Sequence, residues 1–259
     1  MAATPLTSFS QSLRYWRQRR GKSQLDLATE AQTTPRHISF IETGRSRPGH
    51  ELILRLARAL DLQTRDTNGL LTAAGFAPAF QEHRLDAEVM RPYTGAIRAL
   101  LDNHDPYPAS AFDPLGRIHM TNAAHRRLFP GAEDRSPEEA IDGFYRDRAG
   151  LDFENWAEVA WAYADRWRLE ASRTGNPELV RLAERAEGHL AQVRRPPPAE
   201  SDGAVLTPRI RVDGQTYRTF STVLRFDTAR EVTLSEIRIE LIFPADDETA
   251  DLFHRIARA

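Results

Sequence analysis

The stretch that most constrains this 259-residue chain runs from Ser23 to Gly44, where two short helices start and stop in quick succession. Ser23 caps a helix through about Ala31, with Asp26 three residues on in the place of the usual glutamate of a capping box. Thr34-Pro35 opens the next helix. A capping threonine precedes a proline at the first helical position, where its missing N–H costs nothing. Gly44 ends that helix. Ala28 supplies the small residue that a close crossing needs midway along the first helix, while Leu27, Ile38 and Ile41 sit at offsets that face the crossing. The spacing predicts a helix-turn-helix unit over residues 24–43. Its turn carries Gln32 and Thr33 where glycine and an apolar residue are usual, and a non-glycine residue at positive φ costs on the order of 1 kcal/mol. A variant turn is the expectation.

Helices surround this pair. Ser8–Arg20 carries Phe9, Leu13 and Trp16 at helical spacing. Leu52, Leu56, Ala57 and Leu60 mark a fourth helix over 50–60, and Arg65–Ala74 a fifth, stopped by Gly75. No strand pattern interrupts the series, so residues 1–76 read as an all-α, five-helix domain. Charge separates it from the rest. The whole chain has a net charge of −2, but residues 1–80 hold 11 Lys and Arg against 6 Asp and Glu, a net of +5, which leaves −7 for the remainder. That asymmetry points to a basic module with an anionic partner attached to a domain with another task.

In a helix-turn-helix the second helix presents its polar N-terminal end to the major groove. Thr34, Arg36, His37 and Ser39 are therefore the candidate base-facing residues, with Arg36 a reader of guanine. His37 is equally suited to a base, a phosphate or water, and Phe40 to a thymine methyl or to packing. Gln24 opens the first helix, where an amide and helix N–H groups hold a phosphate. Arg45 and Arg47 follow the recognition helix, placed to grip the backbone. Arg14, Arg17, Arg19, Arg20 and Lys22 complete the basic set. Here the chain resembles the XRE/Cro-type regulators, in Lys22-Ser23-Gln24 and in Ile38-Ser39-Phe40-Ile41-Glu42-Thr43-Gly44-Arg45. The expected partner is double-stranded DNA, read at a pseudo-palindromic site by a homodimer.

Residues 77–90 read as a connector, and from Arg91 the pattern changes. A helix with Ile97, Leu100 and Leu101 leads to Ala109–Phe112, the turn Asp113-Pro114-Leu115-Gly116, and Ile118–Thr121, a hairpin. Residues 122–129 and 151–192 read as helical, and the proline-rich 194–203 as an exposed loop. Strand-like runs follow near 206–212, 216–226 and 232–243, then a helix over 248–258. In the last run Ile237, Ile239, Leu241 and Phe243 alternate with Arg238 and Glu240, so one face is expected to be buried and the other solvated. Val232 and Leu234 have the opposite parity, which a bulge near Ser235-Glu236 would reconcile.

The order of elements over 91–259 resembles a PAS-like domain, a five-stranded antiparallel sheet with helices over one face. The fold class expected is α+β. More narrowly, the chain resembles the MmyB-like regulators in Leu71-Thr72-Ala73-Ala74-Gly75-Phe76-Ala77-Pro78, Pro106-Tyr107-Pro108-Ala109, Asn122-Ala123-Ala124, Asn176-Pro177-Glu178-Leu179 and Phe243-Pro244-Ala245-Asp246. That resemblance implies a transcription factor whose second domain encloses a small apolar or amphipathic molecule, fatty-acid-like by family precedent. The residues add a lining: Trp156, Tyr163 and Trp167 along one helical stripe, faced by Phe112, Met120, Phe220, Leu224, Phe226, Ile239 and Leu241 from the strands. The same stripe also reads as packed core. Trp161, on the opposite side, marks an interface or a pocket wall. Arg168, Arg218 and Arg238 are the candidate anchors for a carboxylate.

Other classes fall away. The absence of cysteine excludes disulfide scaffolds, thiolate metal sites and cysteine nucleophiles. No GxSxG, P-loop, GxGxxG or HExxH occurs, and the eight histidines show no i, i+4 pair. Neither an enzyme nor a cofactor or metal site is expected. No apolar run approaches the ~20 residues that span a bilayer, and no signal peptide is visible, so a cytoplasmic location is expected. The rival to a ligand sensor is a second domain that only dimerises or binds another protein.

Overall fold

A computed structural model of the chain describes residues 8–148, 152–197, 205–212 and 214–258. The chain divides into two compact units: residues 1–83 with 227–235, and residues 84–226 with 236–259.

The first unit contains α1 (Phe9–Arg19), α2 (Gln24–Glu30), α3 (Pro35–Glu42), α4 (His50–Ala59) and α5 (Thr64–Ala73), the five helices expected. Its core is aliphatic: Leu13, Leu27, Ile38, Ile41, Ile53, Leu56, Leu60 and Leu71 are wholly buried. Both halves of the Ser23/Asp26 capping box form. The Asp26 N–H donates to Ser23 Oγ at 3.1 Å, and the Ser23 N–H donates to Asp26 Oδ2 at 2.9 Å. The turn between α2 and α3 keeps its usual course, with Gln32 in the left-handed region at φ 52° and the Thr33 N–H donating to Ala28 O. The side chain of Asn68 organises the chain after α5. Its Oδ1 accepts from the Ala79 and Phe80 N–H groups and its Nδ2 donates to Phe80 O.

The second unit opens with α6 (Arg91–Asp102) and the expected hairpin, β1 (Ala109–Phe112) and β2 (Ile118–Thr121). Then come α7 (Ala123–Leu128), α8 (Pro137–Tyr145), β3 (Asp152–Phe153), α9 (Trp156–Thr174), α10 (Pro177–Leu190), β4 (Arg209–Val212) and β5 (Gln215–Leu224). Beyond α11 (Val232–Glu236), β6 (Arg238–Pro244) and α12 (Asp247–Arg258) complete it. The sheet is antiparallel in the order β2-β1-β6-β5-β4-β3. Of the loop expected at 194–203, residues 198–203 lie outside the described ones.

Three expectations are corrected. The sheet has six strands, not five. The extra one, β3, forms because Asn155 ties the chain before α9 to β4, donating to Thr207 O and accepting from the Arg209 N–H. Residues 232–236 are a helix rather than the start of the last strand. The Glu231 carboxylate accepts the Leu234 N–H at 2.7 Å and starts that turn, so no bulge joins Val232 to β6. The change of parity there is a change of element.

The third correction concerns the faces of β6. Ile239 and Leu241 are buried with Ile97 and Leu101 of α6. The opposite face was expected to meet solvent but is covered by α9: Arg238, 9% exposed, donates to Glu170 Oε1 at 3.0 Å. Both faces of the sheet are occupied.

Candidate functional site

In the first unit, the wholly buried Ala28, Leu27, Ile38 and Ile41 seat α3 against α2. With the inner side of α3 committed to packing, its first turn faces outward. Thr34, Pro35 and Arg36 are exposed. Thr34 caps the helix, its Oγ1 accepting the His37 N–H, while the Arg36 guanidinium rests over the Phe40 ring at 5.2 Å. Half-buried His37 has ring nitrogens 3.1 Å from Thr33 Oγ1 and 3.4 Å from Ser46 Oγ, so it holds the loop after the recognition helix rather than standing free. Ser39 is half-buried, and Arg45 and Arg47 are exposed.

Two side chains of the basic face are engaged within the unit. Gln24 donates its amide to Glu42 Oε2 at 2.9 Å. Arg17 forms a fork on the same carboxylate, Nε to Oε1 at 2.6 Å and Nη2 to Oε2 at 2.9 Å, with the two side chains 11% and 4% exposed. Burial alone would push the Glu42 carboxyl up. The hydrogen bonds from Arg17 and Gln24 outweigh it and hold the group below its ordinary value. Arg17 therefore locks α1 to the end of α3. Arg20 donates to Leu60 O and Asp61 O at the end of α4, and Lys22 pairs with Glu30.

In the second unit the ten residues expected to line one site divide between the two faces of the sheet. Cross-strand pairing decides this, because directly paired residues share a face. Phe220 pairs with Phe243, Leu224 and Ala111 with Ile239, Ala109 with Leu241, and Met120 with Ala111. Met120, Phe220, Leu224, Ile239 and Leu241 thus lie on the α6 face, where Phe226 also packs. Phe112 pairs with Arg238 on the other face, and the Arg166 guanidinium of α9 lies 5.7 Å from its ring centre. Trp156, Tyr163 and Trp167 pack there with α8 and α10, in a cluster with Ile141, Phe144 and Leu182. The Trp156 Nε1–H donates to Phe144 O. Trp167 covers the hairpin turn so closely that a Cβ on Gly116, at φ 80°, would lie 2.9 Å from its ring. Trp161 donates to Val193 O beneath the Arg195 guanidinium.

A cavity of about 50 Å³ lies on the α9 face. It is lined by Leu128, Phe129, Phe153, Tyr163, Pro208, Ile210, Thr219, Phe220, Ser221, Glu240, Ile242 and Phe253. Tyr163 and Phe220 are the two sequence-selected residues among them, and the Phe220 ring stacks on Phe243 at 5.4 Å. Glu240 and Ile242 escaped notice because their parity was assigned to solvent. Polar alternation in a sheet covered on both faces was the available signal. Ser221 donates to Glu240 Oε1 at 2.9 Å. Burial, and then the nearby Glu240, push the Tyr163 phenol above its usual range, so it stays protonated. The three candidate anchors are engaged elsewhere: Arg168 with Glu187, Arg218 with Asp246 at 2.9 Å, and Arg238 with Glu170.

Comparison with known families matches both units. A model described as the MmyB-like transcription regulator ligand binding domain matches residues 94–256, and one described as helix-turn-helix matches residues 13–66. No curated protein matches the chain. Among the described residues no helix is long and apolar enough to cross a membrane.

Proposed function

Because the chain belongs to the MmyB-like transcription regulators, we propose that it binds a specific DNA sequence as a cytoplasmic homodimer and releases or engages it in response to a small apolar or amphipathic molecule. The observation that carries the DNA half is the seating of α3. Ile38 and Ile41 are wholly buried while Thr34, Pro35 and Arg36 face outward, which supports Arg36 as the base reader and Thr34, His37 and Ser39 as its neighbours on the groove side. Arg45 and Arg47 are the phosphate contacts in this reading, and Gln24 joins them through the backbone N–H groups at the start of α2, its amide being engaged with Glu42.

The ligand half rests on the cavity beside Tyr163, apolar over most of its lining with a few polar groups. Phe112, Trp156 and Trp167 lie on the same face of the sheet without lining the cavity. Phe220 lines the cavity itself, while Met120, Leu224, Phe226, Ile239 and Leu241, on the α6 face, enter this reading as the sheet's second layer. A fatty-acid-like effector is the family precedent. Ligand binding shifts the regulator only if its affinity differs between DNA-competent and incompetent states.

One observation favours a rival reading. At about 50 Å³ the cavity holds no more than a water or two, far below the ~300–1,000 Å³ of ordinary ligand sites. A packed second unit that serves only dimerisation or a protein partner has that property too. Denaturing mass spectrometry of small molecules extracted from purified protein separates the two. The sensor reading expects a co-purifying amphipathic molecule that raises the melting temperature when added back. No extracted molecule and no thermal response to added amphiphiles supports the rival.

A further inference from the structure

We propose that Phe40 is a positioning residue for DNA recognition: its ring holds the Arg36 guanidinium in place before DNA arrives and so sharpens the choice of one base pair. This rests on the reading of Arg36 as the base reader and gives that residue a partner.

Phe40 is half-buried, yet its ring has no place in the packing of the helical unit. Among the described residues, neither the aliphatic core nor the half-buried side chains packed against it include Phe40. Its backbone is committed instead. Phe40 O accepts the Arg45 N–H at 2.8 Å and the Ser46 N–H at 3.2 Å, which fixes the residue near the end of α3 independently of its side chain. The group that the ring meets is Arg36, one turn earlier, with the guanidinium 5.2 Å from the ring centre. Helix geometry brings this about, because side chains lean toward the N-terminus and residue i+4 falls beside residue i.

Arg36 differs from its basic neighbours in what it leaves free. Arg17 spends its donors on Glu42 and Lys22 O, Arg20 on Leu60 O and Asp61 O, and Lys22 pairs with Glu30. Exposed Arg36 makes no hydrogen bond or ion pair among the described residues. A ring takes a guanidinium by its face, whereas the five N–H donors lie in its plane. The stack thus leaves open the two donors that guanine O6 and N7 require. An unrestrained arginine loses rotamer freedom when its fork docks, and one already laid on a ring loses less.

The test uses the duplex that the full wild-type chain enriches from a random pool, together with its single-base-pair variants, and reads affinity by fluorescence anisotropy. Arg36→Ala identifies the base pair that Arg36 reads. Phe40→Leu is expected to weaken preference at that same base pair by about 2- to 5-fold and to leave the other positions unchanged. Phe40→Tyr, which retains the ring, is expected to keep the wild-type preference. The double variant is expected to lose no more at that base pair than Arg36→Ala alone. A loss at a different base pair means that Phe40 reads a base itself, and overturns the proposal. Unchanged preference in Phe40→Leu overturns it as well, and so does a Phe40→Leu chain that no longer folds, because the ring would then belong to the core. If Arg36→Ala alters preference at no base pair, the reading of Arg36 fails and this proposal with it.

Discussion

Thr64 and Ser235 share a hydrogen bond of 2.7 Å between their hydroxyl oxygens, across 171 residues of chain. Ser235 belongs to the connection between β5 and β6, two strands of the sensor sheet, yet residues 227–235 fold as part of the helical unit. The docking is specific. Val232 donates to Gln81 O, the His83 N–H to Glu231 Oε1, and Thr233 Oγ1 to His83 O, with Val232 and Leu234 buried. The connection between two neighbouring strands of the sheet thus belongs to the helical unit.

Glu231 accepts two backbone N–H groups of this segment, those of His83 and Leu234. Glu231→Ala leaves both without an acceptor, a loss of about 1–3 kcal/mol for each that stays buried. Amide hydrogen exchange is expected to rise at His83, Val232 and Leu234, while the β5 and β6 amides keep their protection. Loss of protection throughout the sheet would show that the segment is not a separable docking element.

Breaking the Arg17–Glu42 fork is expected to cost on the order of 3 kcal/mol, because a buried carboxylate is left without its partner. The acid response follows from the direction of the Glu42 shift. With its carboxyl held below the ordinary value, Glu42 contributes stability that is full above the unfolded-state carboxylate range and is lost as pH falls below it. Arg17→Met removes the strongest opposing hydrogen bond, so burial raises the group and the acid-unfolding midpoint moves to higher pH. Circular dichroism across an acid titration reads this, and an unmoved midpoint contradicts it.

Much of the first unit was legible because caps, glycine stops and apolar periodicity agreed over each helix. The Gln32 turn was expected to be a variant, and Gln32 instead takes the left-handed conformation at φ 52°. The second unit was legible in its outline and misread in its faces. Alternation in β6 shows that two faces differ but not which one meets solvent, and here Arg238 and Glu240 face α9. The α8 helix went unread although Ser136 and Glu139 form a capping box. Val232 and Leu234 mimicked a strand because the first and third residues of a five-residue helix both pack inward. Arg17 was counted only as part of the local positive charge because its acidic partner lies 25 residues away on another helix.

His125 is buried in α7, with its ring beside Phe129 and Nδ1 without a partner. Burial, with a smaller push from Arg126 and against the pull of Glu133, moves its pKa down to about 4. The unfolded chain takes up that proton near pH 6.5, so stability falls as pH drops from about 6.5 to 4. Between pH 7 and 5 the loss is roughly 2 kcal/mol. Urea unfolding of wild type and His125→Gln at the two pH values measures it. Equal slopes with pH in the two proteins contradict the assignment.

Gly116 stands where both its positive φ and the Trp167 ring exclude a side chain. Gly116→Ala is expected to cost about 1–3 kcal/mol. Pairing it with Trp167→Phe, which shortens the ring, is expected to recover part of that cost. Strictly additive losses in that cycle would mean that the two residues are not coupled.

That α3 reads DNA is tested by selecting bound sequences from a random duplex pool with the full chain. Wild type is expected to enrich a pseudo-palindromic site. Arg36→Ala is expected to lose about 1–3 kcal/mol of preference at one base pair of each half-site. Arg45→Ala is expected to weaken all sequences alike and lower the salt slope by about one. Enrichment of the same site by Arg36→Ala, or no enrichment by wild type, contradicts the account.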